Sequence, residues 1–293
     1  MRVFVTGASG WIGSAVVPEL TGAGHQVLGL ARSDPSAAAI AAAGAEVLRG
    51  DLNDLDALRT GAASSDGVIH LAFIHDFTDV QASVAADRRA IETMGAALEG
   101  TGKSLVIASG TPALAGRVAT ERDGPAPGSA MAGRAANAQA ALGMAALGIR
   151  SAVVGLPRTV HGDGDRHGFI ARLITIARDT GVSGYVGDGS SRWPAVHVAD
   201  AAHLFRLAVE RAPAGSRLHA VGDEGVPTRD IAEVIGHHLN LPTASVPAGD
   251  FGWLGQILAV DQPASSTLTR ELLGWRPVQP GLIEDLDKGH YFG

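Results

Sequence analysis

The chain has no cysteine in its 293 residues. That excludes disulfides, cysteine-ligated zinc, thiol nucleophiles and thiol redox sensing together. Lysine and tyrosine are nearly as scarce: only Lys103 and Lys288, and only Tyr185 and Tyr291. A mechanism that needs a Tyr–Lys pair must find it among these four residues. There is no basic surplus either. Twenty-three basic residues face 30 acidic ones, a net charge of −7, which argues against a nucleic-acid partner. No apolar run reaches the roughly 18 residues that span a bilayer. Met1-Arg2 leads straight into an apolar strand, with no signal-peptide pattern. The expectation is a cytoplasmic protein with a small-molecule substrate, no nucleic acid and no membrane.

What is present is apolar and regular. Hydrophobic residues make up 46% and charged residues 18%, enough to fill a core. Strand signals recur at Val3–Val5, Gln26–Leu30, Glu46–Leu48, Gly67–Leu71, Ser104–Ala108 and Ser151–Leu156. Helical stretches lie between them, near 36–43, 54–62, 80–99 and 130–147. Strands alternating with helices imply parallel βαβ units, so the expected fold is α/β, a doubly wound parallel sheet. Further helices are expected at Phe169–Arg178, Ala201–Arg211 and from Pro227 to Leu239, with a strand at Arg217–Val221. The expected division is a dinucleotide-binding domain over 1–156, its sheet completed by about 201–239. Segments 157–200 and 240–293 would then form a smaller substrate lobe.

Thr6-Gly7-Ala8-Ser9-Gly10-Trp11-Ile12-Gly13 lies between the first strand and the first helix. In this pattern Gly7 permits the tight turn, Gly10 lets the backbone approach a pyrophosphate, and Gly13 allows close helix–strand packing. The following helix N-terminus suits the phosphates. Many NAD-binding units place an acid at the tip of the second strand, where it holds the ribose 2′-hydroxyl. Here the tip reads Leu30-Ala31-Arg32-Ser33. An arginine suits a 2′-phosphate, so NADP is expected and NAD less so. The other reading of Arg32 is a surface arginine beside Asp34. Asp51, in Gly50-Asp51-Leu52 after the third strand, suits the adenine amino group.

These motifs, with His70-Leu71-Ala72-Phe73 and Gly187-Asp188-Gly189…His197-Val198-Ala199-Asp200, resemble the short-chain dehydrogenase/reductase superfamily in its extended or atypical branch. The resemblance covers nearly the whole chain. It implies a cofactor site at Gly7, Gly10, Trp11, Ile12, Gly13, Arg32, Ser33, Asp51, Leu52, Leu71, Ala72, Phe73, Arg134 and Pro157. It also implies a catalytic Tyr and a Lys four residues later. The helix that should carry them reads Ser129-Ala130-Met131-Ala132-Gly133-Arg134-Ala135, with neither. Arg134 takes the lysine position and Ala130 the tyrosine position; one register later these become Ala135 and Met131. Ser109 matches the serine that polarises the substrate carbonyl, with Thr111 as backup. Asp87 stands where the superfamily has a helix Asn.

Candidate acids to replace the tyrosine are His75, after the fourth strand, and His161, after the sixth. His167 reads as surface and His70 as structural. Asp163 and Asp165 near these histidines do not make a metal site, and none is expected. Tyr185, Trp193, Phe251 and Trp253 either wall a pocket or pack the core. The catalytic set is Ser109, Arg134 and His75. The expected activity is NADP-dependent reduction of a carbonyl or related C=X bond in a small organic substrate. Two alternatives remain: a catalytically silent NADP-binding redox sensor, and an enzyme like a sugar-nucleotide epimerase or dehydratase. The resemblance also implies a possible homodimer through the helices near 80–99 and 130–147.

Overall fold

A computed structural model describes residues 1–74, 79–124 and 132–293. The candidate acid His75 and the positions Ala130 and Met131 lie outside the described residues. Six strands of the first half form a sheet: β1 (Arg2–Thr6), β2 (Gln26–Ala31), β3 (Glu46–Arg49), β4 (Gly67–His70), β5 (Ser104–Gly110) and β6 (Arg150–Leu156). The intervening helices are α1 (Gly13–Gly22), α2 (Asp34–Ala42), α3 (Leu55–Ala63), α4 (Val80–Leu98) and α5 (Ala132–Gly143). Then come β7 (Thr159–His161), α6 (Phe169–Thr180), β8 (Ser183–Tyr185), β9 (Arg192–His197), α7 (Val198–Arg211) and β10 (Ser216–His219). The chain finishes with β11 (Asp223–Pro227), α8 (Thr228–Leu239), β12 (Thr243–Ser245), α9 (Leu254–Leu258), α10 (Thr267–Leu273) and α11 (Leu282–Asp287).

The main sheet runs β10-β6-β5-β4-β1-β2-β3, and every pairing is parallel. This is the expected doubly wound sheet. The order reverses between β1 and β4, which opens a crevice at the carboxyl ends of the strands, where such sheets bind ligands. Alternation along β1 divides the core. Val3 and Val5 pack with Val16, Val17 and Phe205 on one face, and Phe4 packs with Leu58, Ile91 and Leu98 on the other. Central strands are buried throughout and read as near-continuous apolar runs. Strand β3 opens with a charged residue because it is an edge strand with half-exposed side chains.

Beyond β6 the chain builds two small sheets, β11-β9-β7 and β12-β8. Their apolar cluster joins Ile170 and Ile174 of α6 with Trp193, Phe251, Leu254, Leu282 and Leu286. Strand β10 and helix α7 complete the main sheet as expected. Helix α8 does not: Ile231 and Ile235 belong to the lobe cluster, a correction to the expected boundary at about 239. Its apolar face matches α6 and β8, not the sheet. Trp193 and Phe251 are core residues rather than pocket walls. Asp200, in the motif after β9, is a stitch: its carboxylate accepts from the Val278 and Gln279 amides, both at 3.0 Å.

Candidate functional site

The loop from β1 to α1 is shaped by two glycines. Gly7 has φ of +69°, and a Cβ there would lie 2.7 Å from the Ala72 amide nitrogen. A Cβ on Gly13 would lie 2.1 Å from the Gly7 carbonyl oxygen. The fold needs both. Gly10 is different: a Cβ there would meet only the Gly7 oxygen, at 3.3 Å. The loop is thus less crowded at Gly10 than at Gly7 or Gly13, although a Cβ there would still press on that carbonyl. The helix ends agree. Ser33, Asp54 and Asp79 cap α2, α3 and α4 by accepting from a backbone N–H, whereas α1 has no side-chain cap and no acid in its first turn. An uncapped helix start behind this glycine loop fits a pyrophosphate.

At the tip of β2, Arg32 is exposed. Asp34, its sequence neighbour, pairs with Arg49 instead. Among the described residues Arg32 therefore carries an uncommitted charge. Ser33 accepts from the Ser36 amide at 3.4 Å and opens α2. Asp51 is exposed and turns the chain after β3 by accepting from the Asn53 amide at 2.7 Å. Leu52 is buried in the core. Trp11 points toward the lobe, its indole N–H donating to the Val160 carbonyl at 2.9 Å.

A buried polar chain runs beneath this loop. Thr6 Oγ1 lies 2.7 Å from His70 Nδ1 and accepts from the Ala72 amide at 3.3 Å. His70 Nε2 lies 3.1 Å from Asp87 Oδ1, and Asn137 Nδ2 donates to Asp87 Oδ2 at 2.7 Å and to the Val84 carbonyl at 3.0 Å. Both ring nitrogens of His70 thus meet a partner. Burial alone would raise the Asp87 pKa; the hydrogen bonds from His70 and Asn137 outweigh it and hold the carboxyl below its usual range. The chain wires β1 to β4, α4 and α5.

Arg134, one turn before Asn137, donates to the Ala108 carbonyl at 3.2 Å, and its guanidinium sits 4.1 Å from the centroid of the Phe73 ring. Burial pushes its pKa down, against the opposing charge of Asp87. Ser109 and Gly155 share a register at the ends of β5 and β6, so Ser109, Arg134, Phe73 and Leu71-Ala72 converge on one sheet edge, with Pro157 just past β6. Thr111 is buried, and its carbonyl accepts from Gln262 Nε2 at 2.8 Å.

The second candidate acid is overturned. His161 is fully buried in the lobe, its Nδ1 2.9 Å from Asp285 Oδ2 and its ring against His197. It sits among His197, His290 and Lys288 around one carboxylate. His167 is exposed, as expected. Asp165 shapes the loop before α6 by accepting from the Gly168 amide at 2.7 Å. No cluster among the described residues could hold a metal ion, and no helix among them is long and apolar enough to cross a membrane. Tyr185 lies beside Arg229 in the lobe, and Tyr291 donates to Asp165 there at 3.2 Å.

Sequence reasoning missed Asn137 as part of the site. Its spacing from Arg134, three residues on one helix face, was the available signal. Arg158 and Gln262 were missed as well, because they meet across 104 residues.

Comparison with known proteins supports the family and the fold. A protein of Schizosaccharomyces pombe, itself uncharacterized, is 46% identical over 100% of both chains. A UDP-glucose 4-epimerase of Streptomyces lividans is 29% identical over 96% of this chain and 93% of its own. The structure of MoeE5 in complex with UDP-glucuronic acid and NAD superposes with a TM-score of 0.77 at 26% identity, covering 98% of this chain and 96% of that one. The family model described as NAD dependent epimerase/dehydratase matches residues 3–221, from the first strand through the last strand of the main sheet. The chain therefore belongs to the NAD dependent epimerase/dehydratase family, within the extended short-chain dehydrogenase/reductases.

Proposed function

We propose that this chain is an NADP-dependent reductase of a carbonyl or related C=X bond in a small organic substrate, working without the family's tyrosine. The observation that carries it is the convergence of Ser109 and Arg134 on the crevice edge beside the phosphate loop, with no Tyr or Lys in the sequence of residues 129–135 that leads into α5. When bound, the dinucleotide supplies hydride. The Gly7–Gly13 loop would hold its pyrophosphate and Arg32 with Ser33 its 2′-phosphate. Asp51 and Leu52 flank the adenine side; Leu71, Ala72, Phe73 and Pro157 line the strand ends beyond.

Ser109 donates to the substrate oxygen. Arg134, fixed by Ala108 and Phe73, keeps its proton at neutral pH and acts through its charge. Negative charge developing on the substrate oxygen is stabilised by these two groups. The proton comes from water or from His75. The epimerase relative points to a different chemistry, transient oxidation of a sugar nucleotide. Without a Tyr to take the first proton, that reading is the weaker one. The absent Tyr–Lys pair also favours a silent redox sensor as the second reading.

The test is to follow the absorbance of NADPH and NADH with a panel of ketones, aldehydes and imines, and to measure both affinities. Steady turnover supports the reductase; tight binding with no turnover supports the sensor. Arg32→Ala should weaken NADPH binding by about tenfold, the worth of one charge-assisted contact of roughly 1.5 kcal/mol, and leave NADH unchanged. Equal wild-type affinities for the two cofactors would refute the NADP preference.

A further inference from the structure

Arg158 lies on the seam between the sheet and the lobe. It follows Pro157 at the end of β6 and precedes β7. One guanidinium nitrogen donates to Gln262 Oε1. Gln262 Nε2 donates in turn to the Thr111 carbonyl at 2.8 Å, and its backbone N–H to the Arg192 carbonyl at 2.9 Å. The Arg158 guanidinium also lies 5.9 Å from the centroid of the Phe169 ring on the lobe side. Gln262 thus joins Arg158 to Thr111, two residues beyond Ser109 on the same strand end.

What Arg158 lacks is an anion. Its Nε is buried and has no partner, and among the described residues it forms no ion pair. The neighbouring Arg192 shows the contrast, paired twice with Asp261 at 2.8 and 3.0 Å. Burial pushes the Arg158 pKa down to about 10, with no carboxylate to offset it. Desolvating a cation without a counter-ion is unfavourable, and folds avoid it unless the charge is used. The residue as a whole is only partly buried, at the seam between sheet and lobe.

We propose that Arg158 is the specificity-determining residue of this site, and that the substrate carries a carboxylate which Arg158 binds while Ser109 holds the reacting oxygen. The proposal rests on the reductase reading above and names its substrate class: oxo acids, or acids with a related C=X bond. One unpaired guanidinium matches one negative charge. Gln262 positions Arg158 and is not itself a ligand in this scheme.

The experiment compares a 2-oxo acid, its methyl ester and the matching phosphonate, each with NADPH. Wild type should favour the acid over the ester by about ten- to a hundredfold in kcat/KM, as a charge-assisted contact supplies. Arg158→Met should bring that ratio near one with NADPH affinity unchanged, and Arg158→Lys should keep part of it. A ratio near one in wild type, or one retained in Arg158→Met, overturns the proposal while leaving the reductase intact. A preference for the phosphonate overturns the carboxylate assignment. If no compound turns over, calorimetry of the acid on the protein–NADPH complex decides. Binding that Arg158→Met abolishes upholds the carboxylate clamp and sinks the reductase; no binding to wild type overturns the clamp.

Discussion

Among the described residues two His–Asp pairs are buried on both sides, His70–Asp87 under the phosphate loop and His161–Asp285 in the lobe. The contacts are alike, at 3.1 and 2.9 Å, but the surroundings differ. In the first, Thr6, Ala72, Asn137 and Val84 satisfy every remaining polar atom. In the second, the His161 and His290 Nε2 atoms are buried without a hydrogen-bond partner, and three imidazoles surround one carboxylate. The closed chain fixes one arrangement of β1, β4, α4 and α5 and spans the crevice where the cofactor loop begins. The open cluster ties β7 and β9 to α11 and stays sensitive to charge. The same pair serves as site wiring in one place and as a lobe stitch in the other.

The largest expected effects come from deleting either acid. Asp87→Ala and Asp285→Ala should each destabilise the fold by about 3–5 kcal/mol, because buried donors lose their anion. Urea unfolding checks both, and a loss under about 1 kcal/mol at Asp87 would mean that the closed chain holds nothing together.

A gentler exchange separates the roles. Asp87→Asn sets an amide against Asn137 and loosens Thr6, so dinucleotide affinity should fall by about two- to tenfold, a coupling of about 0.5–1.4 kcal/mol. Asp285→Asn should leave that affinity unchanged while still lowering stability. Equal effects on binding, measured by calorimetry, would erase the distinction between wiring and stitch.

The smallest effect is a pH slope. Burial, and then the charge of His161, lowers the His197 pKa in the fold. The stability this contributes is present above the unfolded value of about 6.5 and is lost as pH falls below it. The Asp285 carboxyl, held low against burial by its bond to His161, adds its own loss only in stronger acid, and Asp87 behaves alike. Between pH 7.5 and 5 the slope should therefore come from His197 in the lobe and from His219 at the end of β10, whose pKa burial also lowers. His197→Asn, which can still cap α7 at the Ala199 amide, should reduce it without abolishing it in thermal unfolding measured across that range.

The main sheet was legible because its strands are buried on both faces and punctuated by glycine, so pattern alone places them. Gly7 and Gly13 could be read for the same reason, since local geometry demands them. The lobe was not legible in this way. Its strands β7, β8 and β12 are three residues long, and partners such as His161 and Asp285 stand 124 residues apart. Helix α8 has a clear apolar face, but a face does not say which core receives it. His70 was read as structural from its place inside a strand, which is accurate about burial and silent about Thr6. The absence of Tyr and Lys at the α5 start was visible from the residues alone; the unpaired charge of Arg158 required the fold.

The distance along the chain between His161 and Asp285 also sets a timetable. During synthesis at about 5–20 residues per second, the 124 residues between them take roughly 6–25 s to appear. Thr6, His70, Asp87 and Asn137 have all been made before that interval begins, so the wiring under the phosphate loop can close while the ribosome is still working. The imidazole of His161 waits through the whole interval for its anion, leaving the nascent lobe as the part of this protein with the most to gain from a chaperone.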